Sequence, residues 1–526
     1  MKQITLLFHL VFLLSSLGGM AQNSSPVLAK GAEKYTNKPK LTRGPYLQAA
    51  SDTSIIIRWR TDASTRSRVW YGTEAGKLDK TVDDLSLVTE HQIKLTGLKP
   101  RAKYYYAIGS LKDTLQGGAD NYFQTLPVPG SEGLSRIGVF GDCGSLTINQ
   151  AKVRDQFVKY LGKNDLDAWI LLGDNAYNDG TDVEFQAKFF DIYKDKLLKN
   201  YPVFPSPGNH DYHDIDFGAD YAQNNHNTAY YQNFSMPVNG ESGGVPSHNP
   251  AFYSFDIGNI HFLSLDSYGK EENKYFLYDT LGPQVQWVKK DLELNKNKGW
   301  TIAYWHYPPY SKGTHDSDTD GIMTRIRENF IKILERYGVD LIICGHSHVY
   351  ERSKLMEGHY GRSETFDAAK HNVSNSTGLY NGSENSAPYI KNSDRGTVYV
   401  VSGSSSYVGK PESDFPHRAM HYSNATDAGA AMLEVQGNRL DFKWICADGV
   451  IRDQFTMMKN VNKKAVVKLK KGQRVTLKAS FITDKYFWNN SKEGRSVEFA
   501  PPVGKSIYTV RDKFNVLRDV FEVEVR

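Results

Sequence analysis

Residues 339–353, VDLIICGHSHVYERS, combine a candidate buried strand with two closely spaced histidines. The short apolar run 341–344 ends at Gly345, a pattern typical of a strand covered on both faces. In an open α/β sheet, side chains at the carboxyl ends of the strands lie in the crevice where such folds bind ligands. His346 and His348 are therefore candidate metal ligands, although a single loop histidine more often only caps backbone groups.

Length and composition indicate a large, folded, multidomain protein. The chain has 526 residues, of which 40% are apolar and 12% aromatic, so it can bury several cores and should divide into two to four domains. Its formal net charge is +5, or +4 without Lys2 of the N-terminal segment. This small excess does not favour nucleic acid or an anionic membrane surface as a partner.

The first 21 residues have the pattern of a secretory signal peptide. Lys2 precedes an apolar run at 4–17, and Gly19-Met20-Ala21 offers a small-x-small cleavage site before Gln22. An uncleaved anchor is the alternative, but the run is short for a span of about 20 residues. We therefore expect a secreted, periplasmic or cell-surface protein without a membrane span.

The chain contains three cysteines, Cys143, Cys344 and Cys446. Three cysteines in an exported chain of this size do not make a disulfide framework. Cys143 and Cys344 fall at the ends of predicted strands, where a small buried thiol is the expected role.

Residues 40–126 show only strand patterns. Alternation at Ile55, Ile57 and Trp59, with regularly spaced turns, predicts a β-sandwich of immunoglobulin or fibronectin type. Residues 126–133, which contain two prolines and two glycines, read as a linker.

Two further regions follow the linker. Residues 134–459 alternate strands with helical patterns, which indicates an α/β core. Residues 460–526 return to strand alternation, which predicts a small β-sandwich-like module. This module resembles the β-domains that end many exported Bacteroidetes proteins; docking on the core, glycan binding and export all remain open as its role.

Most predicted core strands end in a polar cluster. Taken alone, an aspartate there often caps a helix and a lone histidine is usually a satisfied loop residue. Taken together, these side chains supply enough oxygen and nitrogen donors for two metal ions, with glycines that let the backbone approach closely. The residues are Asp142 in GDCG, Asp174 and Tyr177 in GDNAY, Asn209 and His210 in GNHD, His306 in YWHYPP, and His346 and His348 in GHSH.

These motifs resemble the calcineurin-like metallophosphoesterases and, within them, the purple acid phosphatases. The preceding sandwich, with RGPYLQ near its start, resembles the N-terminal domain of the larger purple acid phosphatases. The resemblance covers roughly residues 41–459. It implies a four-layer α/β core of two sheets flanked by helices, and a centre of one Fe(III) and one divalent ion, usually zinc, iron or manganese.

The resemblance also implies a role for each motif residue. Asp174 would bridge the two ions. The ferric ion would take Asp142, Tyr177 and His348, and the divalent ion would take Asn209, His306 and His346. Carboxylate and phenolate oxygens suit a trivalent ion, and imidazoles suit zinc or iron(II).

Charge counting favours an anionic substrate. Two ions of total charge +5, two carboxylates, a phenolate and a hydroxide leave the centre at +1, which suits a small phosphorylated substrate. The expected reaction is hydrolysis of phosphate monoesters by a metal-bound hydroxide. The resemblance assigns phosphate binding or leaving-group protonation to His210, with His315 as a second such histidine.

The sequence departs from the family pattern at three places. Ala303 stands where the family usually has a valine, Asp211 replaces the glutamate of plant enzymes, and residues 357–394 form a Ser/Asn-rich insertion. Because loops at the crevice determine which leaving group fits, the natural substrate stays open. A phosphodiesterase or pyrophosphatase with the same centre, and a non-catalytic binding or adhesion protein with a relict core, are the alternatives. The oligomeric state is not indicated.

Overall fold

The computed structural model describes residues 38–526; the predicted signal segment 1–21 lies outside the described residues.

The described strands fall into three groups along the chain. Strands of the N-terminal region are β1 (Leu41–Gln48), β2 (Ile55–Gly72), β3 (Lys80–Leu95), β4 (Lys103–Gly109), β5 (Thr114–Gln116) and β6 (Tyr122–Gln124). Strands of the central region are β7 (Ser135–Phe140), β8 (Ala168–Leu172), β9 (Val203–Ser206), β10 (Tyr253–Ile257), β11 (Ile260–Ser264), β12 (Trp300–Trp305), β13 (Leu341–Cys344), β14 (Tyr350–Ser353), β15 (Tyr389–Lys391), β16 (Val398–Ser402), β17 (Met420–Asn424), β18 (Gly429–Gln436), β19 (Arg439–Cys446) and β20 (Ile451–Lys459). Strands of the C-terminal region are β21 (Lys464–Leu469), β22 (Val475–Lys478), β23 (Phe487–Trp488), β24 (Ser496–Phe499), β25 (Gly504–Arg511) and β26 (Arg518–Val525).

The helices lie in the central region. The longest begin at clear signals: Thr147 caps the helix Ile148–Leu161, and Pro283 opens the helix Pro283–Asn295. Two other helical stretches alternate α and π turns, namely Asp182–Glu184, Phe185–Phe190, Asp191–Tyr193 and Lys194–Leu198, and then Gly321–Arg325, Ile326–Phe330 and Ile331–Arg336. Short helical turns are His210–Tyr212, Asp214–Phe217, Ala219–Ala222, Ala229–Asn233, Ser363–Thr365 and Ala368–His371.

The described residues form two large sheets. The first runs in the order β15-β20-β19-β18-β7-β8-β9-β1-β2-β4-β5, with β3 on β2 and β6 on β4. The second runs β10-β11-β12-β13-β16-β14-β17. In both sheets the central strands are parallel, β7 to β9 in the first and β11, β12, β13 and β16 in the second. Their carboxyl ends therefore gather at one edge of each sheet.

The two sheets pack face to face through aromatic side chains. Phe204 of β9 stacks on Phe255 of β10 with ring centroids 3.9 Å apart, and the Tyr304 hydroxyl of β12 donates to the Phe204 carbonyl at 3.1 Å. Residues on the outer face of the second sheet, such as Trp305, contact Phe330 of the helical stretch 321–336. Alternate residues of β12 thus fill two separate cores.

Helices cover the outer face of the first sheet as well. Phe140 of β7 packs on Phe157 of the helix Ile148–Leu161, with centroids 4.9 Å apart. Trp169 of β8 packs on Tyr193 of the stretch 182–198 at 5.0 Å. The parallel strands are buried on both faces, as their nearly continuous apolar sequences predict.

The N-terminal strands continue the first sheet. Long strand β2 pairs with β1 at its start and with β4 at its end, and Ile55, Ile57 and Trp59 are fully buried as predicted. Strand β1 in turn meets β9 in parallel, where Gln48 pairs with Val203. The N-terminal strands therefore cover an edge of the central-region strands in this sheet, and this strand pairing was not predicted from the sequence.

The C-terminal strands form a four-stranded sheet β21-β26-β25-β23 and a pair β22-β24. Phe521, Val523 and Val525 are buried on one face, as their alternation predicts. Their core also receives Ile390 of β15 and Tyr380, which precedes that strand, so the two regions share a hydrophobic cluster.

Cys143, Cys344 and Cys446 are buried free thiols. Among residues 38–526, none of the helices has the length and apolar character needed to cross a membrane.

Candidate metal centre

The structure brings together the side chains that end the parallel strands of both sheets. Asp142 follows β7, Asp174 follows β8, and Asn209 follows β9 in the first sheet. His306 follows β12 and His346 follows β13 in the second sheet. All five are buried, with at most 7% of their surface exposed.

Backbone conformation at the strand ends is unusual. Asp142, Asp174 and His346 all have positive φ, at 54°, 51° and 68°. L-residues rarely adopt this left-handed region, and each such residue costs about 1 kcal/mol or more unless the surroundings hold it. The turns thus redirect each chain immediately after its strand.

Glycines allow these turns to approach one another. A Cβ atom on Gly208 would lie 2.1 Å from Oδ1 of Asp174, and one on Gly345 would lie 2.5 Å from Oδ2 of Asp142. Any side chain at either position would displace a carboxylate. Steric hindrance therefore explains why glycine stands at these positions of GNHD and GHSH.

One half of the site centres on the phenol of Tyr177. Its oxygen lies 2.8 Å from Asp142 Oδ1, 3.0 Å from Asp174 Oδ2 and 3.0 Å from His348 Nε2. A single hydroxyl proton can satisfy only one of these acceptors. Burial, followed by the charges of Asp142 and Asp174, raises the pKa of Tyr177 well above its usual value. A phenolate here therefore requires a nearby cation.

The other half contains His306, His346 and Asn209. Nδ1 of His306 donates to the Leu172 carbonyl at 2.8 Å, which leaves Nε2 facing Asp174 Oδ2 at 3.1 Å. Nδ1 of His346 lies 3.3 Å from that same Nε2. Asn209 donates its amide nitrogen to Asp214 at 2.9 Å, while its buried Oδ1 has no partner among the described residues.

Electrostatics of this half reflect a dense group of ionisable side chains. Burial opposes ionisation of Asp174, but the charges of His306 and His210 lower its pKa. Burial also opposes protonation of His306, yet Asp174 and Asp142 raise its pKa to about 9. By contrast, burial, followed by the charges of His315 and His306, lowers the pKa of His346 well below its usual value.

The residues fit a pair of metal ions. Ligand atoms of Asp174, His306 and His346 lie within 4.8 Å of one another. Oδ2 of Asp174 contacts both the Tyr177 oxygen and His306 Nε2, so one carboxylate reaches both halves. Cations would satisfy two kinds of atom here. One is the unpartnered Asn209 oxygen, and the other is the group of acceptors around Tyr177 that share a single hydroxyl proton.

His210 lies at the open side of this group. Its backbone N–H donates to Asp174 Oδ1 at 3.1 Å, and Nδ1 donates to the Asn178 carbonyl at 2.6 Å. Nε2 lies 3.8 Å from Asp174 Oδ2. Although burial lowers the pKa of His210, the charges of Asp174 and Asp214 outweigh it and raise that pKa above its usual value.

His315 also reaches the site, although it lies in a loop. Its ring stacks on His346 with centroids 3.8 Å apart, and its ligand atom lies within 4.8 Å of His346 and Asp320. Burial, followed by the charge of His348, lowers the pKa of His315. The structure therefore places all nine predicted site residues in one region.

The sequence interpretation missed several supporting residues. Asp211 is fully buried and accepts hydrogen bonds from the backbone N–H groups of Asn175 and Gly208, so it braces two of the loops. Burial, followed by the charge of Asp174, raises the pKa of Asp211 to about 7. Its place in GNHD was a usable signal, because an aspartate beside two candidate site residues is positioned to support them.

Aromatic rings line the site as well. Tyr307 stacks on His346 at 3.8 Å, and half-exposed Tyr407 meets the His348 ring edge-on at 5.4 Å. Tyr307 follows His306 directly in sequence. No sequence signal pointed to Tyr407, which reaches the site only through the fold.

Comparison with known proteins agrees with this fold. Residues 135–350 match the family model described as calcineurin-like phosphoesterase, and residues 43–125 match that of the purple acid phosphatase N-terminal domain. Among curated proteins, purple acid phosphatase 15 from Arabidopsis thaliana is 31% identical over 288 residues, which cover 50% of this chain and 49% of that protein. Acid phosphatase type 7 from Mus musculus is 25% identical over 459 residues, which cover 79% and 93%. The chain thus spans about half the length of the first relative and most of the second.

Solved structures show the same fold. A purple acid phosphatase, PPD1, from yellow lupin seeds superposes with a TM-score of 0.56 at 17% identity, covering 80% of this chain and 74% of that one. The structure of PhoD superposes with a TM-score of 0.55 at 13% identity, covering 81% of this chain and 92% of PhoD.

The central region therefore has the calcineurin-like phosphoesterase fold. Residues 135–350 belong to the calcineurin-like phosphoesterases; residues 43–125 match the purple acid phosphatase N-terminal domain, and the curated relatives are named purple acid phosphatase and acid phosphatase.

Proposed function

We propose that this protein hydrolyses phosphate monoesters at a centre of one Fe(III) and one divalent ion, zinc, iron or manganese. The observation that carries the proposal is the position of Asp174 Oδ2, 3.0 Å from the Tyr177 oxygen and 3.1 Å from His306 Nε2. A carboxylate that contacts donors of both halves is suited to bridge two ions.

The proposed ligands follow the chemistry of the two halves. Asp142, Tyr177 and His348 would hold the ferric ion, because hard oxygen donors predominate there. Asn209, His306 and His346 would hold the divalent ion, because two imidazoles suit zinc or iron(II). When bound, the ions would supply Lewis-acid activation of water and of phosphoryl oxygens.

Two histidines would contribute proton transfer and substrate binding. The Nδ1 bond to Asn178 fixes the His210 ring, so its Nε2 is the nitrogen nearer Asp174. A protonated Nε2 can donate to a phosphoryl oxygen or to the leaving-group oxygen. The His315 ring is held in place by its stack on His346. His315 would bind the phosphate from the side of the site that carries His346.

Turnover of mono- and diester substrates tests this function. We expect the purified, metal-loaded chain to hydrolyse p-nitrophenyl phosphate faster than bis(p-nitrophenyl) phosphate or pyrophosphate, and Asp174→Asn to abolish all three activities. Preference for the diester or pyrophosphate would replace the proposed substrate class. A folded chain that binds no metal and turns over none of them would favour a binding protein with a relict core.

We further propose the domain boundaries 40–126, 134–459 and 460–526, and a helix–sheet–sheet–helix arrangement of the central domain. Continuous sheet pairing through Gln48 and the shared C-terminal cluster support docking of the outer domains on this core. Limited proteolysis should cut near 126–133 before it cuts within the central strands. Residues 1–21 are proposed to direct export, and N-terminal sequencing of the exported protein should begin at Gln22.

A further inference from the structure

A second group of potential metal ligands lies outside the candidate centre. It consists of His226, Asp266 and Glu271, whose ligand atoms lie within 4.8 Å of one another. Asp266 follows β11, and His226 belongs to the loop that follows the Asn209–His210 segment. None of the three is among the site residues proposed above.

Two ligand atoms of this group have no hydrogen-bond partner among the described residues. They are Nε2 of His226 and Oε1 of Glu271, both buried, and they lie 3.7 Å apart. Glu271 is only 8% exposed, so its free oxygen is withdrawn from water. A buried, unpartnered carboxylate oxygen is costly unless a cation or donor satisfies it.

The spacing suits two ligands of one metal ion. Nitrogen and oxygen ligands bound at about 2.1 Å in a tetrahedral arrangement lie about 3.4 Å apart. The observed 3.7 Å is close to that value and is long for a direct hydrogen bond.

Hydrogen bonds hold both carboxyl groups in place. Asp266 Oδ1 accepts backbone N–H groups from Tyr268 and Gly269, both at 2.9 Å, and Oδ2 accepts the Tyr212 hydroxyl. Glu271 Oε2 accepts the side-chain amide of Asn249. Supporting hydrogen bonds of this kind orient ligand carboxylates in metal sites.

Two buried carboxyl groups so close together also repel each other when ionised. Burial, followed by the charge of Asp266, raises the pKa of Glu271 to about 7.

The Lys270 N–H donates to the Gln223 carbonyl at 2.7 Å, so the two chain segments already touch beside the group. A cation would remove the repulsion and fasten these segments together.

We propose that His226, Asp266 and Glu271 bind a third metal ion, a divalent cation of the first transition row such as Zn²⁺, in a structural site. One imidazole and two carboxylates suit Zn²⁺, Fe²⁺ or Mn²⁺ better than Ca²⁺, which takes six to eight oxygen ligands. The ion would pin the loop after Asn209–His210 to the segment 266–271. Through Tyr212, which contacts Asp266, the site adjoins the segment that bears the candidate ligand Asn209.

Zinc stoichiometry of the full-length chain tests the proposal. The protein is stripped with chelator, reloaded with Zn²⁺, freed of excess metal and analysed for zinc per chain. Wild type, Glu271→Gln and His226→Gln are compared, with Glu272→Gln as the matched control because Glu272 is exposed and adjacent. The same set is prepared in an Asp174→Asn background, which disables the candidate dinuclear centre.

We expect wild type and Glu272→Gln to hold one zinc more per chain than either cluster variant, in both backgrounds. Zinc addition should also raise the melting temperatures of wild type and Glu272→Gln more than those of Glu271→Gln and His226→Gln. Equal zinc content in wild type and a folded Glu271→Gln or His226→Gln protein would overturn the proposal and leave an ion pair between His226 and Glu271. Should Glu271→Gln fail to fold, His226→Gln decides, since its side chain is 30% exposed.

Discussion

The phenol oxygen of Tyr177 lies 2.8 Å from Oδ1 of Asp142, although the two residues follow different strands. Both are buried, and burial with the neighbouring carboxylates raises the pKa of the phenol well above its usual value. Without a cation the phenol would keep its proton at any physiological pH. An ionised Tyr177 would therefore report directly on a bound metal ion.

The first prediction concerns colour. A phenolate on Fe(III) gives a visible charge-transfer band, so the oxidised, metal-loaded wild type should be coloured and Tyr177→Phe colourless. Absorption spectra with elemental analysis measure this. Tyr106→Phe is the control, because Tyr106 is also buried but lies in the N-terminal strands, and its hydroxyl donates to the Lys199 carbonyl. A fully loaded, oxidised wild type without the band would contradict the iron–phenolate assignment.

A second prediction separates the two proposed ions. Asn209→Ala and His346→Ala should each lose the divalent ion and lower kcat by at least about a hundredfold, since even residues that support metal ligands contribute 10–100-fold. Metal analysis and steady-state kinetics are the measurements. Exposed His421→Ala should change neither quantity. Near-normal turnover in either ligand variant would show that its assignment is wrong.

His210 should matter most for poor leaving groups. If its Nε2 protonates the departing oxygen, His210→Gln should lower kcat about 10²–10⁴-fold for an alkyl phosphate but far less for p-nitrophenyl phosphate, whose leaving group needs no proton. Metal content should stay unchanged. An equal loss for both substrates would indicate that His210 binds phosphate without protonating the leaving group.

Stability should depend on the ionisation of buried His261. Burial opposes its protonation, but hydrogen bonds to Asp256 and Asp291 outweigh burial and raise its pKa to about 9. Because the pKa is raised on folding, the stabilisation is complete below about pH 6.5 and is lost as the pH rises through about 9. The shift is equivalent to roughly 3 kcal/mol.

Melting temperatures at pH 6 and pH 9.5 test this dependence. The melting temperature of the wild type should fall more between pH 6 and pH 9.5 than that of His261→Gln, since the variant lacks the titrating group. Parallel changes in the two proteins would show that other groups govern the alkaline loss of stability.

The motif 339–353 should also stabilise the fold. Arg352 of β14 binds Asp453 of β20 through two hydrogen bonds of 2.6 and 2.8 Å, which join the two sheets. Arg352→Met leaves a buried unpaired carboxylate and should cost about 3–5 kcal/mol of unfolding free energy. The double variant with Asp453→Leu should recover much of that loss. Arg452→Met, which breaks the more exposed pair with Asp448, should cost about 1 kcal/mol or less.

Local sequence patterns predicted much of the secondary structure. The hairpins β10–β11 and β18–β19 turn at Gly258-Asn259 and Gly437-Asn438, where the sequence carries turn residues. The helical stretch 321–336 ends two residues before Gly338, a helix-ending residue type, whose φ is +70°. These features depend on neighbouring residues, so a single sequence contains their cause.

Loop positions were not predictable in this way. His315 was expected only by resemblance, and its stack on His346 depends on how the loop after His306 folds over the site. Asp320 and Tyr407 approach the same region from distant parts of the chain. The cluster His226, Asp266 and Glu271 likewise joins two segments with no shared sequence signal.

The sequence by itself determined the strands, their polar ends and the identity of the side chains that can serve as ligands, because those depend on apolar periodicity and residue chemistry. Only the tertiary structure decided that Asp174 contacts Tyr177 and His306 with a single oxygen, that the N-terminal strands extend the first sheet, and that three residues outside the motifs meet around two unpartnered atoms. Such contacts arise from the packing of two sheets against each other, and that packing depends on the whole chain at once.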